Sequence, residues 1–346
     1  MVCDNSTPEF MQDINTHPVF REEIGHCTVG EPATINTTGP PIKQRAYRLP
    51  LLKRKIVEEE LDKMLAAGVI RPSQSPWASP ITLVAKRDGS TRFCVDFRKV
   101  NASTVKDAYP LPMIQDIFDT MQGATIFTTL DLRSGYWQVD MDPRDIHKTA
   151  FTTHRGLFEW CRLPFGLTNA PSQFQRLMNK ILHKLIGRTC LVYLDDIVVF
   201  SKTKQEHQQH VAEILDVIND AGMTLKRQKC FFGQEEVNLL GYVVSAKGIA
   251  AQEDKLSAIK NMAPPTDVKA VQRFLGVTGY YRQLIPRYAD VATPLFGLTR
   301  KGEPWRWGTE ENAAFEELKI KILCKFPPSI SVEVVYSYPL KVVKCP

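Results

Sequence analysis

The stretch Cys190-Leu-Val-Tyr-Leu-Asp-Asp-Ile-Val-Val-Phe200 decides how this chain folds. Two apolar segments of strand character flank Asp195 and Asp196, which predicts a β-hairpin with two adjacent carboxylates at its turn. Carboxylates are costly in apolar surroundings unless they reach water or a cation, and a divalent metal ion would resolve the conflict. An ordinary hairpin, in which aspartate serves only as a turn residue, is the alternative interpretation.

Composition and charge narrow the class of protein. The chain has 346 residues, of which 43% are hydrophobic and 24% charged, as is typical of soluble globular proteins with two or three compact units. The net charge of +6 weakly favours a polyanionic partner. The eight cysteines form no CxxC pair, so neither a zinc site nor a disulfide framework is expected. We find no apolar stretch that could span a membrane and no signal peptide, and we therefore expect an intracellular protein.

Apolar periodicity predicts helices and strands that alternate irregularly and form an α/β layer with an antiparallel centre. The predicted helices span residues 53–67, 113–121, 171–186, 206–221 and 253–262, and a further helical module follows them. Residues 1–45 lack a periodic pattern and are expected to form a linker or extended arm. His207 and His210 lie three residues apart on a polar helical stretch, where we expect a solvated face.

A third carboxylate, Asp131, ends the apolar strand predicted at residues 126–130. A helix separates this strand from the hairpin of Asp195 and Asp196, and a strand–helix–strand connection returns the chain to the same sheet. The three carboxylates can therefore converge at a sheet edge. Three carboxylates on neighbouring strands can hold two Mg²⁺ ions about 3.5–4 Å apart, the arrangement used in phosphoryl displacement.

Ten sequence blocks in a fixed order resemble the reverse transcriptase of Ty3/gypsy-type LTR retrotransposons. The blocks are Ser75-Pro-Trp-Ala-Ser-Pro80, Arg92-Phe-Cys-Val-Asp-Phe-Arg98, Asp107-Ala-Tyr-Pro-Leu-Pro112, Thr129-Leu-Asp-Leu-Arg-Ser-Gly-Tyr-Trp-Gln138, Lys148-Thr-Ala-Phe151, Leu163-Pro-Phe-Gly-Leu167, Asn169-Ala-Pro171, Tyr193-Leu-Asp-Asp-Ile197, Leu239-Leu-Gly-Tyr242, and Phe274-Leu-Gly276 with Tyr280-Tyr-Arg282. Because the blocks occur in the family's order, they are far more specific than the Asp-Asp motif alone.

The resemblance implies an α/β (α+β) right-hand polymerase with fingers, palm and thumb, an antiparallel palm sheet backed by helices, and a partial connection region. The hairpin of Asp195 and Asp196 would then belong to the palm. The implied boundaries are an N-terminal arm at 1–45, fingers at 46–105 and 139–169, palm at 106–138 and 170–247, helical thumb at 248–298, partial connection at 299–324, and a divergent tail at 325–346.

The function that the resemblance implies is RNA-directed DNA polymerisation, in which a primer is extended with dNTPs on an RNA or DNA template. Asp131, Asp195 and Asp196 match the family's catalytic, metal-binding aspartates, with two Mg²⁺ ions as cofactors and Mn²⁺ as a substitute. A catalytically silent, truncated retroelement remnant that only binds primer–template is the alternative. A small-molecule nucleotidyltransferase or cyclase is disfavoured by the primer-grip and thumb blocks.

Further residues match nucleotide-binding and primer-binding positions of the family. Lys86 and Arg92 match fingertip cations that grip the triphosphate, with a solvated basic loop as the alternative. Tyr136 matches the aromatic residue that excludes a 2′-hydroxyl, with core packing as the alternative. The remaining matches are Phe165 and Gly166 in the dNTP-binding loop, Lys229 as a general acid with Lys226 and Arg227 as competitors, and Leu240, Gly241 and Tyr242 as the primer grip.

The chain departs from the family after Phe315-Glu-Glu-Leu318. Residues 325–346 match nothing in the polymerase, and we find no carboxylate set of an RNase H domain, no protease motif and no integrase. We therefore expect this chain to lack those parts of the Pol polyprotein and to have no membrane partner. The resemblance places it in the cytoplasm, within a retroelement particle, or in the nucleus.

Overall fold

A strand–turn–strand hairpin forms around Asp195 and Asp196, as the sequence predicts. The computed structural model describes residues 8–85, 89 and 91–323, so Lys86 and the predicted tail lie outside the described residues. The chain folds into two compact units. The first comprises Met1–Thr120 and Ile126–Gln234, and the second comprises Met121–Thr125 and Glu235–Pro346.

The first unit contains two sheets with their connecting helices. Its helices are α1 (Leu51–Ala66), α2 (Arg98–Ser103), α3 (Ile114–Thr120), α4 (Ala170–Ile181) and α5 (Lys204–Asp220). Its strands are β1 (Ile70–Pro72), β2 (Ser79–Ala85), β3 (Thr91–Val95), β4 (Ile126–Asp131), β5 (Phe151–Thr153), β6 (Gly156–Trp160), β7 (Cys190–Tyr193), β8 (Asp196–Ser201) and β9 (Phe231–Gln234). Short 3-10 turns join these elements at Glu9–Thr16, Pro18–Phe20, Gly135–Gln138, Ile146–Thr149 and Arg227–Lys229.

A four-stranded antiparallel sheet carries the predicted carboxylates. Its strand order is β7-β8-β4-β9, so the strand of Asp131 lies beside the strand that begins at Asp196. Helices α4 and α5 pack against this sheet. Phe127 and Ile197 in its two central strands are fully buried, because these strands are covered by helices and by neighbouring strands. The antiparallel centre expected from the sequence is therefore present.

The second sheet of this unit has the strand order β1-β6-β5-β2-β3. Strands β2 and β5 pair in parallel, whereas the other neighbouring strands are antiparallel. The β2–β3 hairpin is the one predicted around residues 86–90, and Arg92 pairs with Val84 on its stem. The structure therefore places Arg92 on an exposed hairpin strand.

The N-terminal segment differs from a free linker. Met11 and Val19 are buried in the core of the first unit, with 1% and 0% of their surfaces exposed. The backbone N–H of Leu225 donates to the carbonyl of Val19, and Ala33 forms a β-bridge with Met141. Isolated bridges of this kind have no repeating side-chain pattern, and therefore periodicity does not reveal them.

The predicted helix at 171–186 is shorter in the structure. Helix α4 ends at Ile181, and Leu182 has non-helical dihedral angles of φ −99° and ψ 18°. Leu182 and Leu185 nevertheless remain buried, because the turns that follow the helix stay against the same core. The apolar pattern thus continues past the end of the helix.

The second unit joins a three-stranded antiparallel sheet to a group of helices. The strands are β10 (Glu236–Leu239), β11 (Tyr242–Ser245) and β12 (Gly248–Ala251), and the helices are α6 (Glu253–Lys260), α7 (Val268–Tyr280), α8 (Tyr288–Gly297) and α9 (Thr309–Leu323). The rings of Phe274 and Phe315 lie 4.5 Å apart at their centroids in the helical core. Among the residues that the structure describes, no helix combines the length and apolar character needed to cross a membrane.

His207 does not lie on a solvated face, and that prediction was wrong. Its side chain is fully buried, with Nε2 2.8 Å from Thr128 Oγ1 and Nδ1 2.9 Å from Ser201 Oγ. The Ser201 hydroxyl also lies 2.8 Å from Nδ1 of His210. A buried imidazole requires hydrogen-bond partners, and the hydroxyl groups of Thr128 and Ser201 on the sheet supply them. His207 can therefore lie on the face of α5 that packs against the core. Burial, together with the neighbouring His210, lowers the pKa of His207 to about 4.

Replacing His207 should change how stability depends on pH. Because its pKa is about 4 in the folded protein and 6.5 in the unfolded chain, the unfolded chain binds the proton more readily. Stability should therefore fall as the pH drops from about 6.5 to 4, by on the order of 1–3 kcal/mol through this site. Urea unfolding at pH 7, 5.5 and 4 should show a weaker pH dependence in His207→Gln. The exposed His183→Gln is the control, and an equal pH dependence in all three proteins would contradict the assignment.

Candidate active site

Strand register brings the three predicted carboxylates to one end of the first sheet. Asp131 is the last residue of β4 and pairs directly with Asp196, the first residue of β8. Asp195 immediately precedes Asp196 in the turn that joins β7 to β8. The convergence expected from the strand–helix–strand connection is present in the backbone. It arises because the two strands are neighbours and end at the same edge.

The carboxylates repel one another in this arrangement. Partial burial, together with the negative charges of Asp196 and Asp131, raises the pKa of Asp195 to about 6. The pKa of Asp196 is also raised, because the surrounding protein removes part of its water and Asp131 faces it. Within the described ranges, the buried Oδ1 atom of Asp195 has no hydrogen-bond partner. The site therefore holds more negative charge than its protein partners offset.

Lys229 supplies a cation at this edge. Its Nζ atom donates a hydrogen bond to Asp131 Oδ2 over 3.0 Å. Lys229 lies in the short turn before β9, and β9 pairs with β4, so the sheet carries the ammonium group to Asp131. Arg227 instead contacts Asn15 and the ring of Phe232. Of the competing cations, the structure thus places the Lys229 side chain on a predicted catalytic residue.

The donor set suits a hard divalent cation, although the side chains do not form a closed ligand cluster. In the part of the chain that the structure describes, no three His, Cys, Asp or Glu side chains are close enough to hold a metal ion. Asp131 faces Lys229 instead. Carboxylate oxygens are nonetheless the ligands that Mg²⁺ prefers, and the orphaned Asp195 oxygen is an available acceptor. Asp131, Asp195 and Asp196 are therefore the residues that would hold such an ion if their side chains turned to converge on it.

Gln175 is a site residue that the sequence did not reveal. Leu194, inside the carboxylate turn, has a positive φ of 54°, which is uncommon for a residue with a side chain. Its N–H donates to Gln175 Oε1 over 2.7 Å, and Gln175 Nε2 donates to the carbonyl of Val192 over 3.1 Å. Gln175 is fully buried on α4. A buried amide on an otherwise apolar helix face is the signal that could have identified it.

The rings of Tyr136 and Phe165, which the sequence assigns to nucleotide binding, lie against each other. Their rings stack with centroids 4.9 Å apart and an angle of 25°. Tyr136 is only 7% exposed and also contacts Phe174, whereas Phe165 is 48% exposed. The pKa of Tyr136 is raised, first by burial and then by the negative charge of Asp195. The pair therefore lies near the carboxylates, with Phe165 forming its accessible surface.

The loop that carries Phe165 and Gly166 is attached to α2 by Asn101, to which the sequence assigned no role in the site. Asn101 Nδ2 donates to the carbonyl of Gly166 over 2.8 Å, and the N–H of Thr168 donates to Asn101 Oδ1 over 2.9 Å. Gly166 has a φ of 95°, a conformation that favours glycine. The loop is therefore held at both ends of its tight turn.

The predicted primer-grip residues belong to the second unit. Leu240 and Gly241 form the two-residue turn between β10 and β11, with φ values of 49° and 79°. Tyr242 begins β11 and is buried. Positive φ at both central residues is characteristic of a tight hairpin turn. The tight backbone turn predicted here is present, and its contact with a primer remains a prediction.

Comparisons with known proteins agree on one family. The sequence model of the family described as "Reverse transcriptase (RNA-dependent DNA polymerase)" matches residues 84–244. The Pol polyproteins from the transposons opus and gypsy of Drosophila melanogaster are 44% and 39% identical to this chain, each over 78% of it. The Tf2-3 polyprotein of Schizosaccharomyces pombe is 34% identical over 80% of the chain. The chain spans 27%, 27% and 21% of the lengths of these three relatives.

Solved structures are similar over most of the chain. The foamy viral protease-reverse transcriptase in complex with dsDNA has a TM-score of 0.77 and 26% identity, covering 87% of this chain and 63% of that one. The same protein in complex with an RNA/DNA hybrid has a TM-score of 0.74 and 25% identity, covering 88% and 42%. The mixed α/β polymerase fold expected from the resemblance is confirmed by these neighbours.

Removing one carboxylate charge should stabilise the metal-free protein. The pKa of Asp195 is raised from 3.8 in the unfolded chain to about 6 in the folded protein, so its ionised form opposes folding. The folded protein therefore loses stability as the pH rises from about 4 through 6. The free energy of unfolding of Asp195→Asn should therefore be about 1–3 kcal/mol higher than that of the parent protein at pH 7.5. The difference should vanish near pH 4.

Chemical denaturation of both proteins in EDTA measures this effect. Asp119→Asn, on the exposed side of α3, is the control for loss of a surface carboxylate. If Asp195→Asn were no more stable than the parent protein at pH 7.5, the destabilisation assigned to the Asp195 charge would be contradicted.

Proposed function

We propose that this chain is an RNA-directed DNA polymerase that extends a primer on an RNA or DNA template, because residues 84–244 match the family model described as "Reverse transcriptase (RNA-dependent DNA polymerase)". The observation that carries the proposal is the direct pairing of Asp131 with Asp196, beside Asp195, at one sheet edge. The Pol polyprotein relatives and the structural neighbours with bound dsDNA or RNA/DNA hybrid support the same substrate class.

Asp131, Asp195 and Asp196 are the residues that would hold two Mg²⁺ ions, with Mn²⁺ as a substitute. Divalent metal chemistry of this kind activates a hydroxyl nucleophile and offsets the charge of a leaving pyrophosphate. Burial and the charges of Asp196 and Asp131 raise the pKa of Asp195, and this supports the assignment because a bound cation would favour the ionised carboxylate. The protein itself fixes the positions of the carboxylates. Strand register sets Asp131 against Asp196, and Gln175 holds the turn that carries Asp195.

Lys229 has two roles in the proposed reaction. Its ammonium group orients Asp131 through the 3.0 Å hydrogen bond. It would also donate a proton to the leaving pyrophosphate, which gains negative charge beside the carboxylates. A general acid must lie within hydrogen-bond reach of the site, and the Lys229 side chain does so at Asp131.

Nucleotide binding is assigned to the surface formed by Tyr136, Phe165 and Gly166, together with cations of the β2–β3 hairpin. Arg92 on the exposed stem would pair with triphosphate oxygens, which a guanidinium can contact in bidentate fashion. Lys86 is proposed for the same task, although it lies outside the described residues. The stacked ring of Phe165 offers an apolar face for the sugar or base.

Primer extension on poly(rA)·oligo(dT) with dTTP and Mg²⁺ tests the proposal. The parent chain should extend the primer, and Asp131→Asn, Asp195→Asn and Asp196→Asn should each lower the rate by at least about 100-fold, because each removes charge from the reacting centre. Primer–template affinity should stay within a few-fold, and Asp119→Asn should behave like the parent.

Two outcomes would contradict it. Full activity in any one of the three variants would remove that aspartate from the site. Binding of primer–template by the parent chain without extension would favour the catalytically silent remnant.

Tyr136 should control the choice of sugar. Tyr136→Ala removes a ring that would clash with a 2′-hydroxyl, so the preference for dTTP over UTP should fall by about 10–200-fold. Tyr136→Phe keeps the ring and should keep the preference. Single-nucleotide incorporation with each substrate measures the ratio. An unchanged ratio in a folded Tyr136→Ala protein would instead assign Tyr136 to core packing.

A further inference from the structure

We propose that Tyr280 and Tyr281 are positioning residues that hold the Leu240–Gly241 turn in shape and, through it, fix the 3′ end of a primer strand. The inference rests on the proposed polymerase function for its second half. Its first half concerns only contacts inside the second unit. The two halves can therefore be tested separately.

The turn needs external support because of its backbone. Leu240 has a φ of 49°, in the left-handed region that residues with a Cβ rarely occupy. Such a conformation persists when the surrounding structure holds it in place. Gly241 follows with a φ of 79°, which glycine adopts without steric cost. The strained residue is thus the leucine, at the first position of the turn.

Two tyrosine hydroxyls contact the carbonyls of this turn. Tyr280 Oη donates to the carbonyl of Leu240 over 2.5 Å, and Tyr281 Oη donates to the carbonyl of Gly241 over 3.2 Å. The N–H of Gln252 donates to the same Gly241 carbonyl over 3.2 Å. Both carbonyls of the strained turn therefore accept hydrogen bonds from protein groups.

A third tyrosine, on the hairpin, donates a hydrogen bond back to the end of the helix. Tyr242, the first residue after the turn, donates from its hydroxyl to the carbonyl of Tyr280 over 2.5 Å. The ring centroid of Tyr242 lies 5.4 Å from that of Tyr280 and 5.1 Å from that of Tyr281. Hairpin and helix end are thus joined reciprocally, and a shift of one moves the other.

The close packing leaves little room for a side chain at Gly241. A Cβ atom built there would lie 3.3 Å from Tyr281 Oη and 3.5 Å from the Tyr280 ring. The absence of a Cβ therefore allows the hydroxyl of Tyr281 to approach the backbone. This complementarity supports a held turn, in which the tyrosines and the glycine act together.

A primer strand would gain from a turn that does not move. Nucleic acid is positioned mainly by contacts to its sugar–phosphate backbone, and such contacts fix register only if the protein groups are themselves fixed. Misplacement of a reacting group by about 1 Å can lower a rate by about 100-fold. The loss of the two hydroxyls should therefore lower the rate of nucleotide addition more than it weakens binding of the duplex.

The test compares Tyr280→Phe, Tyr281→Phe and the double variant, which keep the rings and remove only the hydroxyls. Tyr288→Phe is the matched control, because its hydroxyl lies 3.0 Å from Thr278 Oγ1 and makes no contact with the turn among the described residues. Three quantities are measured for each protein: hydrogen exchange of residues 238–243, the single-turnover rate of dTTP addition, and the affinity for primer–template.

In the double variant, exchange at the turn should accelerate at least about 10-fold and the addition rate should fall by about 10–100-fold. Affinity should stay within about threefold, and Tyr288→Phe should match the parent in all three measurements. Unchanged exchange would overturn the hold on the turn. Faster exchange with a parental addition rate would overturn the role in primer placement.

A further readout separates this proposal from the polymerase function itself. If the parent chain did not extend a primer, the exchange experiment would still decide whether the tyrosines hold the turn. Fluorescence of 2-aminopurine at the primer 3′ end would then report placement without chemistry. A change in that signal in the double variant but not in Tyr288→Phe supports the proposal, and identical signals in all proteins overturn it.

Discussion

The opposition of Asp131 and Asp196 across two paired strands is the constraint on which the site depends. Like charges directly opposite one another destabilise a sheet, and Asp195 adds a third charge that is partly buried. The protein offsets this repulsion with one ammonium group, that of Lys229, at Asp131. A sheet that keeps such a pairing is less stable at the position where the proposed polymerase would require carboxylates, which is the usual conflict between stability and function.

Two leucines with positive φ angles are each held in place by a hydrogen bond with a side chain elsewhere in the fold. Leu194 precedes Asp195 and Asp196, the predicted catalytic residues, and Leu240 forms part of the predicted primer grip. Each is held by a polar side chain from a helix or its end, Gln175 in the first unit and Tyr280 in the second. Strained turns are stable only when neighbouring groups determine their shape, and a side chain on a rigid helix does so more firmly than another loop could.

Candidate site residues could be predicted where the chemistry of a metal site requires a particular side chain at a particular place along the chain. Asp131, Asp195 and Asp196 followed from charges at the ends of apolar strands, and the ordered motif blocks gave the resemblance to the reverse transcriptase family. The supporting residues Gln175 and Asn101 were not predictable in this way, because their hydrogen bonds join segments that are distant in sequence. His207 was assigned to a solvated face for the same reason, since its partners lie on strands of the sheet.

The motif blocks that resemble the reverse transcriptase family, the strands that end in carboxylates and most helices could be read from the sequence, because these depend on local periodicity and on side-chain identity. Tertiary structure alone decided the strand register that sets Asp131 against Asp196 and the approach of Lys229 to Asp131. It also decided the burial of the N-terminal arm and the tyrosine contacts to the turn at Leu240. These features depend on which distant segments meet, and periodicity along a single segment carries no information about its partners.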